Sequence, residues 1–211
     1  MIYSVEERKD RGYIVLKRLF DITVSTIGII ILLPILIFIS LLVRTKLGSP
    51  IFFVQKRVGK DNKVFNMIKF RTMLEVKNTD GKELPDSERL TKLGRILRAL
   101  SIDEMPELIN VIKGDMSLVG PRPLLVEYLE RYSKEQLRRH NVLPGITGWA
   151  QINGRNAISW TEKFRLDLWY IDNWSLHLDF KIIFLTIYKV IKRDGINQDD
   201  KITMEYFNGS N

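Results

Sequence analysis

Residues Ile22–Val43 read ITVSTIGIIILLPILIFISLLV, a run without a charged side chain. A helix of this length covers the roughly 30 Å hydrocarbon core of a bilayer. A secretory signal peptide fits poorly, because the run is too long and no small-residue cleavage site precedes a polar mature start. Hydropathy alone reads a straight membrane anchor. Pro34 argues otherwise: near the middle of the run it removes a helix hydrogen bond and clashes with the carbonyl one turn back. Gly28 and the hydroxyls of Thr23, Ser25 and Thr26 weaken a straight helix further. Lys17 and Arg18 precede the run, while Arg44, Lys46, Lys56 and Arg57 follow it. Positive charge favours the cytoplasmic side, and here both flanks are basic. The expectation is a re-entrant helix, broken at Pro34, that enters and leaves on the cytoplasmic face.

The 211 residues suffice for one domain plus an appendage and can bury a substantial core. With 33 Lys plus Arg and a formal charge of +8, the expected partners are anionic: phosphorylated small molecules, an anionic membrane surface or nucleic acid. The chain has no cysteine, which removes disulfides, thiol catalysis and thiolate metal sites together. Two histidines, His140 and His177, are too few and too scattered for a histidine-rich metal site. His140 follows two arginines and reads as a cap or surface residue. There is neither a Walker A motif nor a strand-linked GxGxxG, which argues against an ordinary nucleoside triphosphatase or dinucleotide enzyme.

Beyond the apolar run, the pattern predicts an α+β chain that is mostly helical. Residues 1–46 hold the membrane segment, 47–200 a compact catalytic domain with short strands, and 201–211 a tail. Extended pieces are expected at Ser49–Val54 and Val64–Phe70, with an exposed loop over Leu74–Glu88. Helices are expected at Glu88–Ala99, from Ser101 to a C-terminal Gly114, from Leu124 to His140, and over Ser159–Tyr170. A last amphipathic helix, Asp179–Arg193, suits either a membrane interface or packing on the core.

The chemistry concentrates in residues 98–123, RALSIDEMPELINVIKGDMSLVGPRP. Asp103 and Glu104 lie side by side, with Arg98, Lys113 and Arg122 on both sides of the pair. Ser101 and Glu104 have the spacing of a capping box, so acids at a helix start are an ordinary explanation. The other explanation is catalytic. A carboxylate beside Arg98 stays ionised, fit for nucleophilic attack or for a divalent cation. Gly120-Pro121-Arg122-Pro123 fixes a guanidinium on a stiff turn, which suits bidentate phosphate recognition. Lys69 and Arg71 form either a basic strand edge or a contact to anionic headgroups. Backbone N–H groups of Gly145–Gly148 and Gly154–Asn156 could face phosphate.

KRLFD (17–21), the proline-interrupted run, FxxxKFRTM (65–73), RxxSxDExPELxNV (98–111), KGDMSLVGPRP (113–123) and LPGITGWAQINGRN (143–156) together resemble the bacterial sugar transferases, the small monotopic phosphoglycosyl transferases. The resemblance covers nearly the whole chain. It implies transfer of a sugar 1-phosphate from a UDP-sugar to undecaprenyl phosphate at the cytoplasmic face of the inner membrane, releasing UMP. Asp103 would be the nucleophile that forms a covalent phosphosugar intermediate, with Mg²⁺ bound there. Glu104 would orient the acceptor or assist its deprotonation. Arg98, Arg122 and Lys69 would contact phosphate or nucleotide, and Asp179 matches a retained, structural acid. Pro34 matches the helix-breaking proline, with Leu33 standing where members often carry Ser. PRPLLVEYL (121–129), GRNAISW (154–160) and FNG (207–209) are similar to members that transfer N,N′-diacetylbacillosamine 1-phosphate in protein N-glycosylation. The alternative donor is a UDP-hexose or UDP-N-acetylhexosamine for capsule or O-antigen synthesis. A membrane-anchored basic scaffold is the non-enzymatic alternative. The implied partners also include membrane phospholipids and downstream glycosyltransferases, but no nucleic acid.

Overall fold

The computed structural model describes residues 5–76, 78–82, 84–154, 158–192 and 206–209, with backbone alone for 5–11. The chain begins with one long helix, α1 (Val5–Leu47). Helical geometry continues through Pro34, so the proline does not divide α1 into two helices as expected. Beyond the proline, Ser40 and Thr45 donate their hydroxyls back to the carbonyls of Leu36 and Leu41, at 2.7 and 2.9 Å. Residues 12–47 meet the length and apolarity needed to cross a membrane. The middle of the helix is bare: Ile30, Ile31, Ile37 and Phe38 are more than half exposed.

Both ends of α1 dock on the same soluble domain. Near its start, Lys17 reaches Asp179 and the carbonyl of Val119, and Asp21 accepts from the backbone of Leu118. Arg18 donates to the carbonyls of Val111 and Ile112, capping the helix that ends there. Near its end, Ile39, Val43 and Leu47 share a core with Phe70 and Leu97. Arg71 donates to the carbonyls of Leu47 and Ser49, fixing the exit of the helix.

Strands β1 (Phe52–Val58) and β2 (Val64–Phe70) form an antiparallel hairpin in which Phe53 faces Lys69 in register. A short helix α2 (Asp86–Arg89) precedes α3 (Lys92–Ala99). The single helix expected from Glu88 is split because Thr91 starts a new one, its hydroxyl accepting from Gly94 N–H. Gly94 must be glycine, since a Cβ there would lie 2.0 Å from the carbonyl oxygen of Thr72.

Helix α4 (Glu107–Lys113) ends, as expected, on Gly114 in the left-handed region. It does not start at Ser101. That residue sits at φ 55° with no capping bond, and Ile102–Glu104 make a single 3₁₀ turn. The new helix begins after Pro106, whose ring-fixed φ of −62° already suits helical geometry at the cap position.

Two short strands, β3 (Ser117–Val119) and β4 (Gly145–Thr147), pair in parallel. Between them the expected helix from Leu124 to His140 is replaced by a 3₁₀ turn at Val126–Arg131, a one-turn helix α5 (Lys134–Leu137) with a complete capping box at Ser133, and a turn at Arg138–Asn141. This segment directs Leu124, Tyr128 and Tyr132 into one core with Trp160, Phe164 and Phe207. Helices α6 (Trp149–Asn153), α7 (Trp160–Asp172) and α8 (Leu176–Lys192) complete the domain. Phe20 of α1 meets Phe180 of α8 edge-on at 4.9 Å, joining the exposed apolar faces of the two helices. Along α8, Phe184, Ile187 and Ile191 continue that exposed face.

Candidate active site

Of the expected site residues, Lys69, Asp103, Glu104 and Arg122 converge where the 3₁₀ turn, the β hairpin and the Gly-Pro-Arg-Pro turn meet. Lys69, at the end of β2, is 2.7 Å from Glu104 and 3.1 Å from Glu107. Arg122 donates to the same Glu104 oxygen. Asn110 holds this arrangement together. Fully buried on α4, it donates to Asn66 O at 2.7 Å and accepts from Ile68 N–H at 3.1 Å, locking β2 beside the acids. Arg122 is fixed through its backbone: its carbonyl accepts from Arg139 at 2.7 Å, and Arg139 is ion-paired to buried Asp167 at 2.8 Å. The turn itself is pressed against β4, with Gly120 N–H bonded to Thr147 O and Gly145 N–H to Pro121 O. A side chain on Gly120 would lie 2.3 Å from the carbonyl of Leu143.

Asp103 is buried, 8% exposed, in the turn that the left-handed Ser101 begins. Non-glycine residues in that conformation are strained by roughly 1–2 kcal/mol and concentrate at functional sites. Burial, then the charge of Glu104, pushes the Asp103 carboxyl up, against the opposing pull of Lys69, Arg98 and Arg122. The sequence suggested a carboxylate kept ionised by Arg98 at a helix start. Arg98 does oppose the rise, but burial outweighs it, and a three-residue 3₁₀ turn adds no macrodipole of a full helix. Glu104 behaves oppositely. Burial works against its ionisation, but Arg122 and Lys69 outweigh it and hold the carboxyl well below the usual range.

Arg98 is exposed, and its Nε donates to Thr72 at 3.0 Å, which aims the guanidinium alongside the acids. Lys113 is exposed at the far end of α4 from them. Arg71, which the sequence offered as a headgroup contact, is buried and serves the α1 exit. His140 is also buried, with Nδ1 2.7 Å from Asn62 Oδ1, and burial lowers it to about 4. It is a neutral packing residue. Asp179 lies in another part of the domain and binds Lys17 at 2.5 Å, Tyr170 at 2.7 Å and Trp174 at 3.2 Å. Its contacts tie α1 and α7 to α8. Arg155 and Asn156, offered with Gly154 as phosphate-facing backbone, fall outside the described residues.

A cavity of about 400 Å³ opens beside Glu104 and Arg122. Its polar lining includes Thr147, Gln151, Lys163 and Thr186, and its apolar lining includes Leu108 and Val190. Asp103 borders the cavity through its neighbour Glu104 and is not itself part of the wall. Two residues in this region escape a reading by motif. Glu107 is 1% exposed, and burial raises its carboxyl to about 7 although Lys69 opposes the rise. Its spacing of three from Glu104 was the available signal. Lys163 shares a helix face with Asp167 at a spacing of four, and only the fold brings it to the cavity.

Among the described residues, no group of three metal-ligating side chains gathers. Mg²⁺ commonly uses one or two carboxylates and completes its shell with water and substrate phosphate oxygens. Among the described residues, Asp103 is the acid of the cluster that forms no ion pair with a lysine or arginine, and it suits such a site.

Residues 12–193 match the sequence model of a family described as bacterial sugar transferase. The chain is 56% identical over 196 residues to the uncharacterized sugar transferase EpsL of Bacillus subtilis, covering 93% of this chain and 97% of that protein. It is 43% identical over 197 residues to the undecaprenyl-phosphate glucose phosphotransferase of Komagataeibacter xylinus, covering 83% of this chain and 36% of that one. It is 44% identical over 185 residues to the UDP-glucose:undecaprenyl-phosphate glucose-1-phosphate transferase of Klebsiella pneumoniae, covering 83% and 40%. The chain therefore spans less than half the length of the two relatives named for a reaction. By the extent of these matches, the chain belongs to the bacterial sugar transferase family.

Proposed function

We propose that the chain is a phosphoglycosyl transferase that moves a sugar 1-phosphate from a UDP-sugar to undecaprenyl phosphate. One observation carries the reading: buried Asp103 lies among Lys69, Arg98 and Arg122 beside a cavity of substrate size. A carboxylate oxygen of Asp103 attacks the β-phosphorus of the UDP-sugar. The bond from that phosphorus to the bridging oxygen breaks, and UMP leaves with the electron pair. A phosphate oxygen of undecaprenyl phosphate then attacks the same phosphorus, the Asp103 O–P bond breaks, and the polyprenyl diphosphate sugar departs. Glu104, held strongly ionised, is a weak base. Its role is to orient Lys69 and Arg122, and through them the acceptor phosphate. Mg²⁺ held at Asp103 would neutralise diphosphate charge.

The names of the relatives support a UDP-hexose donor. The motifs that suggested N,N′-diacetylbacillosamine have a different use: Leu124, Tyr128, Trp160 and Phe207 pack into one aromatic core rather than lining the cavity. The topology we propose is re-entrant. Both ends of α1 dock on one domain while its apolar middle is bare, so a membrane that takes up the middle has both ends on one side. The basic flanks favour the cytoplasmic face. Glycosyltransferases that extend a polyprenyl diphosphate sugar would consume the product.

The test is UMP release from undecaprenyl phosphate with UDP-glucose, UDP-galactose, UDP-N-acetylglucosamine and UDP-N,N′-diacetylbacillosamine in parallel. The reading expects release with a UDP-hexose and none with Asp103→Asn. Release at the wild-type rate in that variant would remove the nucleophile assignment, and no release with any donor would favour a scaffold. Single cysteines placed before Lys17 and after Lys46 should be labelled from the same side; labelling from opposite sides would defeat the re-entrant topology.

A further inference from the structure

We infer that the cavity receives the first isoprene units of the acceptor lipid, against an apolar wall made by Met105, Leu108, Ile146 and Val190. The inference rests on the transferase reading and names the place where its acceptor leaves the bilayer to meet the charged cluster.

The cavity lining is divided by element. Its charge comes from the 3₁₀ turn, the Gly-Pro-Arg-Pro turn and α7, whereas Leu108, Ile146 and Val190 come from α4, β4 and α8. Met105 lies between the 3₁₀ turn and α4. Two threonines also line the cavity, but their hydroxyl protons are already used. Thr186 donates to Ile182 O at 2.8 Å, which leaves Thr147 to donate to the Thr186 hydroxyl at 2.7 Å. Beside Ile146 and Val190 the wall therefore suits an apolar ligand better than a phosphate.

The same apolar surface runs on toward the membrane segment. Leu108 packs against α1 within its uncharged run, since a side chain begun at Gly28 would meet Leu108 Cδ1 at 3.6 Å. Ile27, Ile30 and Ile31, around that contact, are more than half exposed. On α4, Ile109 and Ile112 beside Leu108 are each more than a third exposed. On α8, Ile187 and Ile191 flank Val190 and are 54% and 78% exposed. Both helices that supply wall residues thus carry bare isoleucines next to them, and a membrane taking up the middle of α1 brings hydrocarbon to this part of the surface. An isoprenoid phosphate has the matching division, one anionic head on an apolar chain. Its head fits the side of Glu104 and Arg122, and its chain fits the wall that continues to α1.

The probe is a short isoprenoid phosphate with a photoreactive diazirine in its chain, bound to the full chain in lipid nanodiscs and mapped by peptide mass spectrometry. Label should fall on residues 105–108 or on Val190, and be displaced by undecaprenyl phosphate but not by phosphatidylglycerol. Label confined to the bare faces of α1 and α8 would overturn the inference. Equal displacement by phosphatidylglycerol would also overturn it, by assigning the wall to a phospholipid chain. In steady-state kinetics, Leu108→Asn should raise KM for undecaprenyl phosphate about tenfold and Val190→Thr about threefold, with KM for the UDP-sugar unchanged. An unchanged acceptor KM in both variants would overturn the inference while leaving the transferase reading in place. Should Leu108→Asn fail to fold, Val190→Thr and the labelling pattern decide. Labelling at the cavity of wild-type protein that releases no UMP from any donor would overturn the transferase reading and leave the isoprenoid site standing.

Discussion

Asp179 and Glu104 are both acids gripped by a lysine at a helix junction, yet their surroundings differ in one decisive respect. Asp179 is closed in: Lys17, Tyr170 and Trp174 use its two oxygens, and it is 2% exposed. Glu104 is held just as firmly, but its cations Lys69 and Arg122 also neighbour Asp103, and Glu104 and Arg122 line an open cavity. In the first cluster every charge is spent on the fold. In the second, charges are held in place with room beside them for another anion. A buried ion pair is thus weak evidence of function by itself; the adjoining space makes the difference.

The most severe way to break this comparison is Asp103→Asn, which should lower UMP release at least a thousandfold with an unchanged melting temperature. Loss of fold in place of loss of rate would make the second cluster structural like the first. The converse change, Asp179→Asn, should cost about 2–3 kcal/mol in stability, because part-buried Lys17 loses its charged partner. The remaining folded protein should keep its KM for both substrates; denaturant unfolding alongside steady-state kinetics checks both halves. Phe207→Ala should cost about 3–5 kcal/mol by opening a void among Tyr128, Tyr132, Trp160 and Phe164. The ranking of UDP-sugars should not move, and a changed ranking would return donor choice to the FNG motif.

Two pH effects sharpen the contrast on a smaller scale. Because the Asp103 carboxyl is raised, kcat/KM should fall on acidification at a higher pH than an ordinary aspartate near 3.9 would give. Glu107 contributes a stability effect of defined sign. Its folded value of about 7 lies above the unfolded one, so its contribution is fully present below about pH 4 and is lost as pH rises toward 7. Stability should decline across that window by up to about 1.4 kcal/mol per pH unit, and Glu107→Gln should flatten the decline.

Local patterns were legible where they are settled locally. The apolar run of α1, the strand carrying Lys69, Gly114 at the end of α4 and the periodicity of α7 and α8 all follow from spacing or from a single turn residue. Local grammar misleads where a distant partner outweighs it. Ser101 and Glu104 have capping spacing, but Lys69 and Arg122 occupy the glutamate, and the helix starts beyond both, after Pro106. The segment from Leu124 to His140 has helical composition, but its aromatic side chains are drawn to Trp160, Phe164 and Phe207 from elsewhere in the chain. His140 was missed in the same way, its ring buried against Tyr132 and bonded to Asn62.

The sequence by itself determined that an apolar segment flanked by cations precedes a domain with Asp103 and Glu104 among basic residues, and those motifs carry the family. Residue type and short spacing are properties of the chain before it folds. Only the tertiary structure decided that Glu104 is tied up in ion pairs at the cavity wall while buried Asp103 behind it is in none of them, that Glu107 and Lys163 join the same region, and that both ends of α1 return to one domain. Burial, ion-pair partners and cavity walls are set by contacts between residues tens of positions apart, and no local pattern encodes which of two neighbouring carboxylates those contacts leave available.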